Sequence, residues 1–277
     1  YFFNSKILNK IVKNRKFYKV DGLAIDSRDV KKDNLFLTIK GKKNDGNNFI
    51  FKSIKKGASY IISSSNSKKT HKIIKVHNTT SFLNKFAKLK RENCSAKILA
   101  ITGSTGKTSL KNMLNILLKK YGDTYASPRS FNNNYGVPIS LSNLKSNHQF
   151  GVFEVGMSRA GEINKLSKLI QPDLGVITNI AEAHIENFEN IKGIAKAKSE
   201  IINNIKTNGT IILNRDDNFY DYLKEKAKFR NIKIVTFGKS KNSDVRLVKI
   251  KKYKKLRKIT VNIKDIKLEL KISNINI

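Results

Sequence analysis

Cysteine is nearly absent. Cys94 is the single one in 277 residues, which excludes an internal disulfide framework and makes the chain read as cytoplasmic. Apolar runs are short too: none approaches the roughly 20 residues of a membrane span, and Tyr1-Phe2-Phe3 is too short for a secretion signal, so no membrane insertion is expected. No initiator Met opens the chain, and no helix follows the strand-like alternation of Lys267 to Ile272, so both ends are expected to be cut. Acidic residues are scarce, 21 Asp and Glu against 56 Lys and Arg, for a net charge of +35. Such a balance raises the question of nucleic acid. The basic residues form no stripe, however, and the wealth of Asn and Ile suggests A/T-rich codons. We therefore expect no specific nucleic-acid partner, only salt-sensitive adhesion to polyanions. The densest basic run, Lys249 to Lys258, reads as a solvated hairpin between two alternating segments.

What is present is a phosphate-binding loop in its proper setting. An apolar β-rich run, Ile98 to Thr102, feeds Gly103-Ser104-Thr105-Gly106, and Lys107-Thr108-Ser109 open a helix with Leu110, Met113, Leu114 and Leu117 at helical spacing. Glycines let backbone N–H groups face phosphates, and the helix N-terminus adds partial positive charge. Lys107 can reach terminal phosphates, and Thr108 can ligate Mg²⁺. The usual pattern has a further Gly where Ile101 stands, so this is a shortened variant of the loop.

The length suits about two domains, each able to bury a core without staples. Residues 1–93 alternate short strands with helices, and the polar run Lys90 to Ala96 reads as a linker. From Lys97 strands at Ile98 to Thr102, Phe150 to Val155, Leu174 to Asn179, Thr210 to Leu213 and Ile232 to Phe237 alternate with helices at Thr108 to Tyr121, Gly161 to Ile170, Ile191 to Ile205 and Asp217 to Phe229. The fold class expected is α/β. A small N-terminal α/β domain (1–93) would precede a mostly parallel-sheet, P-loop ATPase-like central domain (94–277), which ends in an antiparallel meander over Val245 to Ile272.

Ligands of parallel sheets gather at the carboxyl ends of the strands, and further polar residues fall there. Glu154 ends the otherwise apolar Val152 to Val155 and can hold Mg²⁺ or its water, although an edge carboxylate paired with a lysine would look the same. His184 lies just beyond Val176 to Ile180, placed for a metal or phosphate, or for a structural role. On the helix Ile191 to Ile205 the isoleucine stripe asks for an apolar residue at Lys198, while Lys196 shares a polar face. A lysine forced inward has a depressed pKa, and its neutral amine can take up CO₂ as a carbamate, a Mg²⁺ ligand. A lysine that snorkels outward is the alternative.

Together these segments resemble one family. The loop ITGSTGKTS, FNNNYGVP (Phe131 to Pro138), FEVGMSRAGEI (Phe153 to Ile163), NIAEAHIENF (Asn179 to Phe188), GIAKAKSEI (Gly193 to Ile201) and ILNRDD (Ile212 to Asp217) resemble the Mur ligases of peptidoglycan synthesis. The shortened loop is that family's normal form. The segment Ile25 to Phe49 is similar to the uridine-nucleotide domain of the branch that joins D-Ala-D-Ala to UDP-MurNAc-tripeptide through an acyl phosphate. The resemblance implies ATP and Mg²⁺ as cofactors, and UDP-MurNAc-tripeptide and D-Ala-D-Ala as substrates of a monomeric bacterial cytoplasmic enzyme. Gly103 to Ser109 would cradle ATP, with Asn214 and Asp217 on the adenine side. Lys107 would neutralise the γ-phosphoryl group, Thr108 and Glu154 would hold one Mg²⁺, and His184 with carbamylated Lys198 a second. Ser27, Arg28, Asp45 and Gly46 would grip the uridine diphosphate, with Asn132 and Asn133 near the loop and substrate.

The resemblance implies a His-Asn-containing helix and a C-terminal ligase domain beyond Ile277, so the fragment as it stands is expected to bind but not turn over. A ligase adding the third amino acid and a nucleotide-dependent nucleic-acid-binding module are the competing readings.

Overall fold

The structure, a computed structural model, describes residues 2–13, 16–41, 44–65, 70–183, 185–253, 256–264 and 266–273. The N-terminal part runs α1 (Phe2–Ile11), β1 (Leu23–Ala24), β2 (Leu35–Leu37), α2 (Ile50–Lys55), β3 (Tyr60–Ser63), β4 (Ile73–Lys75) and α3 (Thr79–Glu92). Its strands form a four-stranded sheet in the order β1-β2-β3-β4, every pair parallel. Leu35, Phe36 and Leu37 are all buried, the signature of a strand covered on both faces. Asn78 starts α3 by accepting the Ser81 N–H on its side chain (2.8 Å).

The second part holds β5 (Lys97–Thr102), α4 (Lys107–Leu118), β6 (Thr124–Ala126), α5 (Gly136–Ser142), β7 (Phe150–Glu154), α6 (Glu162–Ile170), β8 (Leu174–Ile177), α7 (Ile191–Ser199), β9 (Thr210–Asn214), α8 (Tyr220–Phe229), β10 (Lys233–Gly238), β11 (Val245–Lys252), β12 (Leu256–Ile263) and β13 (Ile266–Ser273). The sheet is nine-stranded, in the order β13-β12-β11-β10-β9-β8-β5-β7-β6. β6 to β11 pair in parallel, and β11, β12 and β13 form the expected antiparallel meander. β5 lies between β7 and β8, so the chain leaves it to one side and later returns on the other. That reversal opens a crevice at the carboxyl end of β5, where the phosphate loop sits.

Three features depart from the sequence reading. Lys90 and Arg91, expected in a polar linker, are buried at the end of α3, which also gives Phe82, Phe86 and Ala87 to the cores on either side. The helix expected over Ile191 to Ile205 ends at Ser199 and tightens into a 3₁₀ turn, Glu200–Asn204. There the Ser199 hydroxyl donates to the Lys196 carbonyl (2.7 Å), a side-chain bond that competes with the helix ladder. Helix α5 had no amphipathic signal because every one of its residues is buried. Among the described residues no helix is long and apolar enough to cross a membrane.

Candidate active site

Between β5 and α4 the chain turns on Gly103 and Gly106, at φ +146° and +80°. Gly103 passes so near the strand beside it that a Cβ would lie 1.9 Å from Thr178 Oγ1, so no other residue fits. Side chains latch the loop to the segment after β8. The Thr105 N–H donates to Asn179 Oδ1 (2.9 Å), Asn179 Nδ2 donates to Thr105 Oγ1 (2.8 Å), and Ser104 Oγ donates to the Ala181 carbonyl (2.8 Å). Lys107 folds back over the turn and donates to the Gly103 and Ser104 carbonyls (2.7 and 3.3 Å).

Glu154 ends β7 directly beneath this loop and is 1% exposed. Its Oε2 accepts from Thr108 Oγ1 (2.8 Å), its Oε1 from Asn132 Nδ2 (2.7 Å), and Lys111 Nζ lies 3.8 Å from Oε2. Burial lowers the pKa of Lys107 and of Lys111, and the Glu154 charge opposes the shift in both. Lys111 was not anticipated: one turn past Lys107 in a chain full of lysines, it looks like a solvated position. The signal for it in the sequence is its i+4 spacing from Lys107, which places it over the same strand end.

Lys198 is buried and Lys196 exposed, as the isoleucine stripe requires. Together with Lys107, Asn132, Asn133, Ser158 and Glu162, Lys198 lines a cleft of about 270 Å³ beside the loop. Its pKa is lowered to about 8, first by burial and then by the charge of Lys107. A neutral, reactive amine is therefore accessible near neutral pH. His184 lies outside the described residues.

Several residues matched to ligand roles are already engaged with backbone. Asn133 Oδ1 accepts the N–H groups of Tyr135 and Gly136 (3.1 and 2.9 Å) and so starts α5. Asp217 accepts from the N–H groups of Ile180 (2.7 Å) and Phe219 (2.9 Å), and Asn214 Oδ1 from that of Asp216 (3.0 Å). Asp217 thereby braces the segment that latches the loop, while Asn214 closes its own turn after β9. Ser109 is half-buried in the first turn of α4.

A separate cleft of about 470 Å³ over the N-terminal sheet is lined by Ser27, Arg28, Ile39, Gly46, Phe49 and Lys52 among others. Arg28 is fork-paired with Asp26 (2.6 Å at the shortest contact) and exposed. Asp45 accepts from the Asn47 N–H (2.9 Å) and caps the turn Gly46–Phe49. A Cβ on Gly46 would lie 2.7 Å from the Ile39 nitrogen, so the turn that Asp45 caps brings a bare backbone to the cleft wall at Gly46.

No three His, Cys, Asp or Glu side chains gather into a metal cluster among the described residues. One hydroxyl and one buried carboxylate at a phosphate loop suit Mg²⁺ instead, which takes one or two protein oxygens and completes its shell from phosphate and water.

Residues 101–275 match the Mur ligase middle domain, and residues 19–91 match the Mur ligase family catalytic domain. UDP-N-acetylmuramoyl-tripeptide–D-alanyl-D-alanine ligase of Buchnera aphidicola (strain APS) is 39% identical over 225 residues, 81% of this chain and 50% of the relative. The Rickettsia prowazekii ligase of the same name is 39% identical over 231 residues, 82% of this chain and 51% of the relative. A crystal structure of MurF from Acinetobacter baumannii superposes with a TM-score of 0.84 at 28% identity, covering 97% of this chain and 60% of that one. MurF of Thermotoga maritima in complex with ADP gives 0.79 at 30% identity, covering 93% and 59%. The chain spans about half the length of the curated relatives it matches.

Proposed function

The chain belongs to the Mur ligase family, and on that premise we propose that it supplies the UDP-substrate and ATP sites of a ligase joining D-Ala-D-Ala to UDP-MurNAc-tripeptide. Residues 1–93 would take the uridine nucleotide and 94–277 the ATP. The observation that carries this reading is the Thr108–Glu154 pair beneath the loop, in a chain whose relatives bear that ligase's name.

In this reading ATP transfers its γ-phosphoryl group to the terminal carboxylate of the tripeptide, giving an acyl phosphate and ADP. The amine of D-Ala-D-Ala then attacks the acyl carbon, loses a proton and expels phosphate, leaving an amide. The loop N–H groups and Lys107 hold the phosphates and neutralise the charge that develops on the transferred group. Asn132, which donates to Glu154 and lines the same cleft, would face the acceptor carboxylate. Arg28 and the Gly46 wall, with Asp45 capping the turn behind it, hold the uridine diphosphate, the Arg28 fork exchanging Asp26 for a phosphate. When bound, Mg²⁺ would neutralise phosphate charge; Thr108 and Glu154 would hold one ion, and His184 with carbamylated Lys198 a second.

Calorimetric titration of this chain at roughly physiological salt, which suppresses polyanion adhesion, tests the reading. Saturable binding of UDP-MurNAc-tripeptide, weaker binding of UDP-glucose and none of a short oligonucleotide are expected. Salt-resistant oligonucleotide binding with no response to the muramoyl peptide would overturn it.

The Lys198 assignment has its own test in ¹³C NMR at fixed ¹³CO₂ pressure. The neutral amine is the reacting form, about a tenth of the population at pH 7 and about half at pH 8 for a pKa of about 8. A carbamate resonance should therefore grow as pH rises across that range and be missing from Lys198→Ala. A spectrum identical in the two proteins would end the assignment.

A further inference from the structure

We propose that Lys111 is the resident counter-cation of Glu154: a positioning residue that holds the carboxylate in place and disfavours a bare divalent cation until nucleotide phosphates accompany it. The inference rests on the reading of Thr108 and Glu154 as a cation site.

Lys111 is out of place by ordinary rules. Its side chain is 2% exposed, as is that of Glu154, at a depth where an unpaired charge is not tolerated. It makes contacts in two directions, one to Glu154 Oε2 at 3.8 Å and one to the Arg129 carbonyl. Arg129 is in the left-handed region at φ +48°, which residues other than glycine seldom adopt, so this carbonyl is offered by an unusual backbone turn. The same 127–132 segment supplies Ser127, whose hydroxyl accepts the Glu154 N–H (3.3 Å), and Asn132, which donates to Glu154 Oε1. Lys111 thus ties the carboxylate to the segment that also orients it.

The charges give this arrangement its consequence. Thr108 and Asn132 satisfy Glu154 without adding charge; Lys111 contributes a full positive charge beside it. The pair is neutral, so a divalent cation arriving alone meets Lys111 a few ångströms away where solvent screens poorly. A cation carried by a triphosphate brings negative charge with it, and the same lysine then adds to the attraction.

Mn²⁺ serves as the probe, read by the electron paramagnetic resonance amplitude of the free ion. Without nucleotide, Lys111→Met and Lys111→Gln should bind one Mn²⁺ at least about tenfold tighter than the unaltered chain, because the repelling charge is gone. Lys111→Arg, which keeps the charge, should not gain, and adding Glu154→Gln to Lys111→Met should remove the gain. Lys111→Gln retains a donor for the Arg129 carbonyl and so keeps the test open if the Met variant does not fold. Equal or weaker Mn²⁺ binding in the charge-free variants overturns the inference. ATP titrations with and without Mn²⁺ separate the levels: ATP affinity indifferent to both Mn²⁺ and Glu154→Gln defeats the cation-site reading and the inference with it. ATP affinity that needs Mn²⁺ through Glu154, with no gain in the Lys111 variants, defeats the inference alone.

Discussion

Lys107→Met should weaken ATP binding by about 100-fold or more, the loss of one or two charge-assisted hydrogen bonds at roughly 1.5–3 kcal/mol each. The side chain sits at the N-terminus of α4 with its amine over the turn, so nothing else in the loop offers a full positive charge at that point. Stability should change little. The bonds Lys107 makes to the Gly103 and Ser104 carbonyls are offset by the cost of desolvating its amine, which burial already reports as a lowered pKa. Calorimetry at fixed Mg²⁺ gives the affinity and a thermal melt gives the control. An ATP affinity within a few-fold of the unaltered chain would remove Lys107 from the phosphate site.

Arg91→Ala should destabilise the fold by about 2–4 kcal/mol, the cost of leaving buried carbonyls without their donor, out of the roughly 5–15 kcal/mol that holds a typical domain together. Its guanidinium donates to the carbonyls of Ile170 (2.6 Å), Gln171 (2.8 Å) and Cys94 (3.3 Å), and Asp173 lies at 3.6 Å. Ile170 and Gln171 close α6, whose last carbonyls need donors, and a cation there also meets the negative end of the helix dipole. Asp173 in turn accepts from the Ile98 N–H (2.8 Å) at the start of β5, so one side chain joins α3, α6 and the strand that delivers the phosphate loop. Arg91→Lys should recover only part of the loss, because an ammonium lacks the planar fork that serves carbonyls on two sides. Urea unfolding with an unchanged slope and a lowered midpoint is the expected record. A loss below about 1 kcal/mol would mean that water replaces the guanidinium.

Where a residue broke a pattern, it could be read from sequence. Lys198 interrupts an isoleucine stripe and is buried; the strand–loop–helix around Gly103 to Thr108 combines two periodicities and glycines, and appears within a residue of its expected place. Where a residue kept to a pattern, its role stayed hidden. Lys111 looks like any surface lysine until the fold turns it onto Glu154, and Arg91 looks like part of a polar connection until α6 ends against it. Asp45, Asn133 and Asp217 show a third case: their types and positions match a family pattern, but only the fold reveals that their oxygens hold N–H groups of the chain itself. Helix α5 was missed because burial on all sides leaves no contrast for a helical period to mark.

Lys107, folded onto the Gly103 and Ser104 carbonyls, also makes the loop its own competitor. Any anion seeking the turn must first draw the ammonium away from two oxygens. A single orthophosphate offers little beyond what those carbonyls already supply, whereas a triphosphate reaches along the helix mouth and engages many donors at once. In a chain of net charge +35, this self-occupancy would select for the length of the polyphosphate rather than for its charge alone.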